Sequence, residues 1–328
     1  MTVANVGIDL GGTNLKLAVI DGSNSIIQRH TVPTDGHLGH DAVIANMVRG
    51  VTELRLKLGD AVTVESVGVG VPGMLDMPTG VVLDLPNLPG KWTNVPLKAI
   101  LERHLSVHAH VLNDVKGFTL AEYTIGAAHG VRDALFYAVG TGIGGGLVID
   151  GKVHFGVGGA AGEFGHIIVN PSGVLCSCGN RGCVESLASG PAIIGEANRR
   201  VVQGFTTRLT ELIEDDLNRT NPQIIEQAAS EGDPIAIEVL ERAGYFLGLS
   251  MAGMIAALAP EMVVVGGGVV KPSGVYWNSF VETAISHNTV TDMSRVTFAP
   301  ASLGYEAGVI GAAMWGRLVE RGEATPAK

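Results

Sequence analysis

Two stretches of the chain share one pattern: a β-rich apolar run, a short turn of glycine and threonine, and a second apolar run. The first is VGIDLGGTNLKLAVIDG and the second is YAVGTGIGGGLVIDG. Each predicts strand, glycine turn and strand, over residues 3–9 and 15–21 and then over residues 134–139 and 147–150, with residues 140–146 as the second turn. The repetition predicts two related halves, each with a glycine turn at the end of a strand.

Strand-like and helical patterns alternate along the rest of the chain. Apolar periodicity and turn residues set the expected limits of each element. Further strands are expected at residues 25–33, 64–71, 107–112 and 262–265, helices at 41–57, 97–105, 190–200, 209–216, 222–231, 234–258 and 307–320, and a loop at 81–96. This alternation is typical of the α/β class.

The composition allows a large folded core. Apolar residues make up 46% of the 328 residues and charged residues 16%, which rules out a disordered chain. This length fits one large domain or two of ordinary size. The formal net charge of −10 argues against a nucleic-acid partner, because phosphate backbones are bound by basic surfaces.

Signals for export or membrane insertion are weak. The first residues, MTVANVGIDLGG, lack the basic start and long apolar core of a signal peptide. Residues 243–260 hold no charge, over a length close to that of a bilayer span. Glycines interrupt this stretch and Glu261 follows it at once, so we expect a helix buried between other layers. We therefore expect a cytoplasmic protein with no membrane partner.

The glycine turns are candidate phosphate sites. Residues 140–145 match the string of the dinucleotide fingerprint, but a strand follows where that motif needs a helix. Backbone N–H groups exposed by glycines can still bind anions, and Thr13 and Thr141 add hydroxyl donors. Asp9 precedes the first turn and could hold magnesium, and residues 266–268 supply a third glycine cluster. The alternative is a pair of tight hairpins with no ligand.

All three cysteines, Cys176, Cys178 and Cys183, fall in one short segment. Three thiols cannot pair completely, and such crowding suits a metal better than a disulfide framework. His166 would complete a Cys3His set, which is a closed structural zinc site. His154 is the competing fourth ligand, since spacing alone does not decide between the two histidines. Buried free thiols or a redox pair are the alternatives.

Several polar residues stand where they could serve a substrate. Asn113 and Asp114 end a predicted strand, so Asp114 could act as the base for a substrate hydroxyl while Asn113 binds the substrate. The alternative for this pair is a turn or a helix cap. Glu163 and Glu185 flank the expected metal ligands, and paired acceptors of this kind suit a polyhydroxyl ligand. Their alternative is a solvated surface position.

Taken together, these motifs resemble the ROK family of sugar kinases and regulators, within the actin-like ATPase superfamily. The cysteine element fits the pattern C-x-C-G-x-x-G-C-x-E at every fixed position, and the resemblance extends over almost the whole chain. The motifs are VGIDLGGTN (6–14), VPG (71–73), LPNLPGKW (85–92), ND (113–114), GTGIGGG (140–146), GEFGH (162–166), CSCGNRGCVE (176–185) and GGG (266–268).

The resemblance implies two ribonuclease-H-like (actin-like ATPase) domains with the active site in the cleft between them. The smaller N-terminal domain would comprise residues 1–113 together with about 305–328, and the larger domain residues 114–304. The zinc-binding element would span residues 166–183. By the same analogy the protein is expected to form a homodimer or a homotetramer.

The resemblance also implies a role for each motif. Asp114 would be the general base on the sugar 6-hydroxyl, and His166, preferred by this analogy over His154, would both bind zinc and contact the sugar. Residues expected around ATP and Mg²⁺ are Asp9, Gly11, Gly12, Thr13, Lys16, Thr141, Gly142, Gly266 and Gly267. Residues expected around the sugar are Gly73, Asn87, Asn113, Asp114, Glu163, His166 and Glu185.

Two positions depart from the family pattern. The family often reads N-D-A-N at the base, and Lys116 stands here in place of the second asparagine. The first turn often carries a lysine directly after its threonine, whereas this chain has Asn14 there and Lys16 two positions later. Both changes leave the supporting roles of these positions open.

The resemblance predicts an ATP-dependent hexose kinase that phosphorylates the 6-hydroxyl, with glucose as the expected sugar. Mannose, fructose, allose, N-acetylglucosamine and N-acetylmannosamine are alternative substrates, and polyphosphate is an alternative donor. Other classes are a sugar-responsive regulator, a catalytically silent sugar-binding protein and a zinc hydrolase. The short segment before the first turn disfavours the regulator, and a closed Cys3His site disfavours the hydrolase.

Overall fold

A computed structural model describes residues 2–85 and 88–327 of the chain. The strands are β1 (Thr2–Leu10), β2 (Asn14–Ile20), β3 (Ile26–Pro33), β4 (Val62–Val71), β5 (Met74–Asp76), β6 (Val81–Asp84), β7 (His108–Asn113), β8 (Ala134–Val139), β9 (Ile143–Ile149), β10 (Lys152–Val153), β11 (Met262–Gly266) and β12 (Thr297–Pro300). The α-helices are α1 (His40–Leu58), α2 (Leu97–Leu105), α3 (Asp114–Thr124), α4 (Glu185–Ala188), α5 (Gly190–Val202), α6 (Arg208–Leu212), α7 (Pro222–Ser230), α8 (Pro234–Leu258), α9 (Val275–Ser286) and α10 (Ala307–Glu320).

The chain divides into two compact units. The first comprises Met1–Gly130, Lys152–Ala161 and Ser302–Lys328, and the second comprises Val131–Gly151 and Gly162–Ala301. The chain therefore passes from one unit to the other more than once. The expected boundary after residue 113 differs from this division, because α3 packs against α10 and so lies in the first unit.

The first unit is built on a sheet with the strand order β3-β2-β1-β4-β7. The β1–β2 and β2–β3 pairs are antiparallel, whereas β1, β4 and β7 run parallel. The apolar helix α10 packs on β1 and β4. Gly7 and Gly68 permit this packing, since a Cβ at either position would overlap a backbone carbonyl of α10.

The sheet of the second unit includes the order β9-β8-β11-β12. The β8–β9 pair is antiparallel, and β8, β11 and β12 are parallel. This order matches that of the first unit, so the prediction of two related α/β halves is confirmed. The glycine turn joins the antiparallel pair in both sheets.

The uncharged stretch of the C-terminal half is a helix, as predicted, but only part of its surface is buried, since Tyr245 is 41% exposed and Leu258 is 38% exposed. It belongs to α8, which packs against α9. Gly244 and Gly248 face α9 where a Cβ would press on its backbone. Among the described residues, no helix combines the length and the apolar character that a membrane crossing requires.

The second glycine turn is shorter than the sequence predicts. Strand β9 begins at Ile143, so residues 144–146 lie in the strand and the turn is limited to residues 140–142. The ring of Phe164 occupies the position where a side chain on Gly145 would extend. The glycines there serve close packing in the sheet as well as the turn.

Other elements differ from the expectations in detail. Residues 81–96 are not a continuous loop, because β6 pairs with β5 and Val82 bridges Val95. Helix α6 ends at Leu212, four residues early, since Glu214 and Asp215 have positive φ angles of 52° and 58°. Helices α3 and α9 were not expected from the pattern.

Candidate active-site residues

The first glycine turn, residues 11–13, is held by a buried threonine. The N–H of Thr34 donates to the carbonyl of Thr13 at 2.9 Å, and its hydroxyl donates to the carbonyl of Gly11 at 2.7 Å. The side of Gly12 is open, because a Cβ added there would meet no heavy atom within 4 Å. Thr34 therefore fixes the turn through two of its carbonyls, and the backbone at Gly12 stays accessible.

Sequence reasoning missed Thr34. The β2–β3 ladder pairs Asn14 with Pro33, which sets the residue after β3 beside the turn. The register of the β2–β3 hairpin could have indicated this residue. Because β3 pairs with β2 along its whole length, β3 ends next to the glycine turn that precedes β2. A hydroxyl at that point can reach the turn carbonyls.

Asp9 is the penultimate residue of β1, directly opposite Lys16 on β2. Burial raises the pKa of the Asp9 carboxyl, and the nearby Lys16 ammonium partly opposes that rise. Gly308, in the first turn of α10, faces this carboxyl, and a Cβ there would lie 3.1 Å from the carboxyl carbon. Within the described part of the chain no donor hydrogen-bonds to this carboxylate, so its oxygens suit a cation such as Mg²⁺.

Asn113 and Asp114 open helix α3 at the end of β7. The side-chain oxygen of Asn113 accepts the N–H of Val115 at 3.0 Å and that of Lys116 at 3.4 Å, so Asn113 is the helix cap. This is the alternative that the sequence left open. Asp114 lies in the first helical turn, where the helix dipole favours a carboxylate. One of its oxygens accepts the N–H of Val115 at 2.9 Å.

Lys116 is almost fully buried, at 2% exposure. Its ammonium donates to the carbonyl of Ala161. Ala161 ends the segment that the first unit receives from the middle of the chain, two residues before Glu163. The lysine that departs from the family pattern therefore fastens this segment to α3.

Gly73 stands in a tight turn after β4, where its N–H donates to the carbonyl of Val71 at 3.2 Å. A Cβ on Gly73 would overlap the carbonyl of Asp84, so the position needs glycine. Asn87, the other residue expected on this side of the sugar, lies outside the described residues.

The second glycine turn is held by the start of a helix. Gly140 donates to the carbonyl of Gly142 at 2.9 Å, and its own carbonyl accepts the N–H of Gly190, the first residue of α5, also at 2.9 Å. Thr141, at the tip, is exposed. Like the first turn, this one presents its backbone and a threonine.

Glu185 contacts the second turn. One carboxylate oxygen accepts the N–H of Ile143 at 2.9 Å, and a Cβ on Gly142 would lie 2.6 Å from that oxygen. Glu185 follows the cysteine segment directly as the first residue of α4. The residue predicted as a sugar ligand therefore also supports the phosphate turn, a contact that the sequence pattern did not indicate.

The third glycine cluster closes β11. Gly266 pairs with Ala138 of β8, and Gly267 has a φ of 106°, with backbone of Val139 where a Cβ would lie. The amide of Gln223 donates to the carbonyl of Gly268 at 2.7 Å. The cluster thus lies beside the end of β8, from which the second turn departs.

The three cysteines and His166 converge as predicted. Their four candidate ligand atoms all lie within 4.8 Å of one another. The thiols of Cys178 and Cys183 are 3.7 Å apart, and Cys176 Sγ is 3.7 Å from His166 Nδ1. Zn–S bonds of ~2.3 Å in a tetrahedron place two sulfurs ~3.8 Å apart, so this set fits zinc.

The backbone explains how the cysteine segment folds back. Gly179 and Gly182 have φ angles of 90° and 70°, which favour glycine. Burial raises the pKa of the Cys183 thiol to about 12, whereas the backbone N–H of Asn180 lowers the pKa of Cys178. A bound metal would hold all three as thiolates.

Glu163 and His166 share a short 3₁₀ turn, in which the N–H of His166 donates to the carbonyl of Glu163 at 3.1 Å. Because His166 turns Nδ1 toward Cys176, its Nε2 remains for another ligand. The exposed Glu163 carboxylate has no hydrogen-bond donor within residues 2–85 and 88–327. Both residues are therefore available to a polar ligand.

The site residues divide between the two units. The described predicted residues of the first unit are Asp9, Gly11, Gly12, Thr13, Lys16, Gly73, Asn113 and Asp114. Those of the second unit are Thr141, Gly142, Glu163, His166, Cys176, Cys178, Cys183, Glu185, Gly266 and Gly267. Within the first unit, Asp9 lies opposite Lys16 next to the first glycine turn, and within the second unit Glu185 contacts the second turn.

Two α/β units with the same strand order and a glycine turn in each define a two-domain protein of the actin-like ATPase class. The solved structure of a ROK family glucokinase from Streptomyces griseus in complex with glucose and AMPPNP matches with a TM-score of 0.82 and 29% identity, over 96% of this chain and 99% of that chain. A glucokinase from Halalkalibacterium halodurans is 33% identical over 313 residues, which cover 93% of this chain and 92% of that protein. The ROK family model matches residues 5–318, and the chain belongs to this family.

Family members also include regulators. A xylose repressor from Caldicellulosiruptor bescii is 34% identical over 200 residues, which cover 61% of this chain and 49% of the repressor. The similarity to the glucokinases is thus the more extensive of the two.

Proposed function

We propose that the protein transfers the terminal phosphoryl group of ATP to the 6-hydroxyl of a hexose, and that the hexose is glucose. The observation that carries this proposal is the match over nearly the full length to glucokinases, combined with a carboxylate at the start of α3. Both glycine turns of the fold keep the threonine and open backbone that phosphate binding needs.

Asp114 is the proposed base. A sugar hydroxyl is a poor nucleophile, and phosphoryl transfer depends on positioning and charge neutralisation. Asp114 would accept the hydroxyl proton as the new phosphorus–oxygen bond forms and the bond to ADP breaks. Its place in the first turn of α3 sets the carboxylate at the positive end of the helix dipole.

The two turns are the proposed phosphate ligands. N–H groups of residues 11–13 and 140–142 would hold phosphate oxygens, with hydroxyl donors from Thr13 and Thr141. Lys16 adds a positive charge beside the first turn. Mg²⁺, held by Asp9, would neutralise charge on the phosphate oxygens when bound. Gly266 and Gly267 are proposed for the nucleoside.

The sugar hydroxyls are proposed to bind Glu163, Glu185 and the free Nε2 of His166. Glu185 keeps one oxygen on Ile143, which leaves the other for the ligand. Asn113 can use its amide N–H₂, since its oxygen caps α3. Gly73 and Asn87 are proposed for the same ligand on the basis of the motif alone.

We also propose that the Cys3His set binds a structural zinc ion. Four ligands fill a tetrahedral site, so the ion would not activate water. The ligands include His166 and end two residues before Glu185, and the ion would therefore hold both sugar-binding residues in place. Metal analysis of the purified protein tests this: about one zinc per chain is expected, and less than half an equivalent counts against it.

The activity is tested by a phosphorylation screen of glucose, mannose, fructose, allose and the two N-acetylhexosamines, with ATP and with polyphosphate as donors. We expect glucose with ATP to give the highest kcat/KM. Turnover with another sugar but not with glucose would identify that sugar as the substrate. Absence of phosphoryl transfer to every sugar would refute the proposed kinase activity. Sedimentation of the same sample tests the proposed homodimer, with a homotetramer as the alternative.

A sugar-responsive regulator is the second candidate. The partial match to the xylose repressor favours it, but the repressor extends well beyond the matched region. Sugar binding without phosphoryl transfer would support this candidate or a silent sugar-binding protein.

A further inference from the structure

An exposed aromatic side chain contacts Lys16, on the strand that follows the first glycine turn. Tyr305 lies in the 3₁₀ turn Gly304–Glu306 that precedes α10, and it is 77% exposed. The ammonium of Lys16 lies over its ring, 5.0 Å from the ring centroid. A cation over an aromatic face at this distance is an attractive contact.

The backbone on both sides of Tyr305 is anchored. The fully buried Glu122 carboxylate accepts the N–H of Ser302 at 3.1 Å and that of Leu303 at 2.7 Å. On the other side, Glu306 forms an ion pair with Arg29 of β3. The ring is therefore exposed, and the backbone on both sides of it is anchored.

Lys16 has a carboxylate as its neighbour on the adjacent strand. It faces Asp9 across the β1–β2 ladder, and its charge acts on the Asp9 carboxyl. A flexible ammonium next to that carboxylate can pair with it, which would compete with a cation bound there. The Tyr305 ring offers a second place for the ammonium on the same side of the sheet.

We infer that Tyr305 is a positioning residue for nucleotide binding: its ring holds the Lys16 ammonium ready for the phosphate chain of a nucleoside triphosphate. The inference rests on the proposed function, because it takes the first glycine turn as the phosphate site. Tyr305 acts through Lys16, so its removal weakens the nucleotide complex only while the lysine is present.

The test is equilibrium binding of AMPPNP with Mg²⁺ by titration calorimetry, without a sugar. Tyr305→Leu should raise the Kd about 2- to 5-fold, the size of an exposed cation–π contact. Tyr305→Phe keeps the ring and should bind like the wild type. In a Lys16→Met background, Tyr305→Leu should cause no further loss of AMPPNP affinity. A purely structural role of Tyr305 would instead give the same loss of affinity in both backgrounds.

Tyr245, an exposed tyrosine on α8, supplies the control, and Tyr245→Leu should leave the Kd unchanged. Equal losses from Tyr305→Leu in both backgrounds, or no loss in either, would overturn the inference. In steady-state assays the expected change is in KM for ATP, with kcat and KM for glucose unaltered. If the wild type fails to bind AMPPNP, the proposed function itself fails, and that result is distinct from a wild type that binds and a Tyr305→Leu variant that binds equally well.

Discussion

The two glycine turns join equivalent strands of two similar sheets, yet they are supported in different ways. The first follows a strand whose penultimate residue is Asp9, and the buried Thr34 holds its carbonyls. The second follows a strand whose penultimate residue is Ala138, and it is held by Gly190 and by the Glu185 carboxylate.

The two units, although similar in fold, therefore differ in the functional residues that they carry. The first unit carries the acids proposed for chemistry, Asp9 and Asp114. The second unit carries the Cys3His set, and Glu185, two residues after Cys183, contacts the second turn. We therefore expect loss of Asp114 in the first unit to act mainly on turnover, and changes at the Cys3His set or Glu185 in the second unit to act mainly on stability and ligand affinity.

The largest expected effect is on turnover. Asp114→Ala should lower kcat by at least ~10²-fold, because it removes the proposed proton acceptor. Glucose binding, measured by calorimetry, should persist, and the variant should remain folded. Near-normal kcat in this variant would reject Asp114 as the base.

The second prediction concerns the Cys3His set. Cys183→Ala should lower the free energy of unfolding by roughly 3 kcal/mol, since it removes a ligand of a proposed structural metal. Denaturant unfolding of the zinc-loaded protein measures the change. Ser172→Ala, an exposed position in the same segment, is the matched control. Equal stability of the two variants would contradict a structural role for the cluster.

The sequence predicted the repeated halves and the convergence of the three cysteines with His166, because both depend on local patterns. Alternating strands and glycine turns appear twice, and the four candidate ligands lie within eighteen residues of one another. The contacts that support the turns could not be read in this way. Thr34 reaches the first turn through strand register, and Glu185 reaches the second turn across forty-two residues.

Helix α3 shows a similar limit. Its segment, DVKGFTLAEYT, has a glycine and no clean apolar stripe, so periodicity did not indicate it. Its burial of Lys116 and Glu122 depends on partners far along the chain, Ala161 for the lysine and Ser302 with Leu303 for the glutamate. Tertiary contacts decide this element.

The third prediction tests whether the buried carboxylate of Asp9, next to the first turn, lowers the stability of the fold while it serves function. Burial raises the pKa of Asp9 above its unfolded value, so folding is favoured with the carboxyl protonated, and this stability is lost as the pH rises through the folded pKa. Asp9→Asn should therefore raise the Tm at pH 7 and less so at pH 4. It should also lower kcat/KM at least ~10-fold. A lower Tm at pH 7 would contradict the stated cost.

The smallest expected effect separates the supports of the two turns. Thr34→Val removes the hydroxyl that donates to the carbonyl of Gly11 but keeps the side-chain shape. Loss of this hydrogen bond should weaken ATP binding by ~1 kcal/mol, which corresponds to a rise in KM for ATP of about 5-fold. Thr34→Ser keeps the hydroxyl and is the control. Glu185→Gln should instead raise KM for the sugar as well as for ATP, because Glu185 serves both the second turn and the proposed sugar site. If the two substitutions change the same KM values in the same ratio, the turns do not differ in the way the structure indicates.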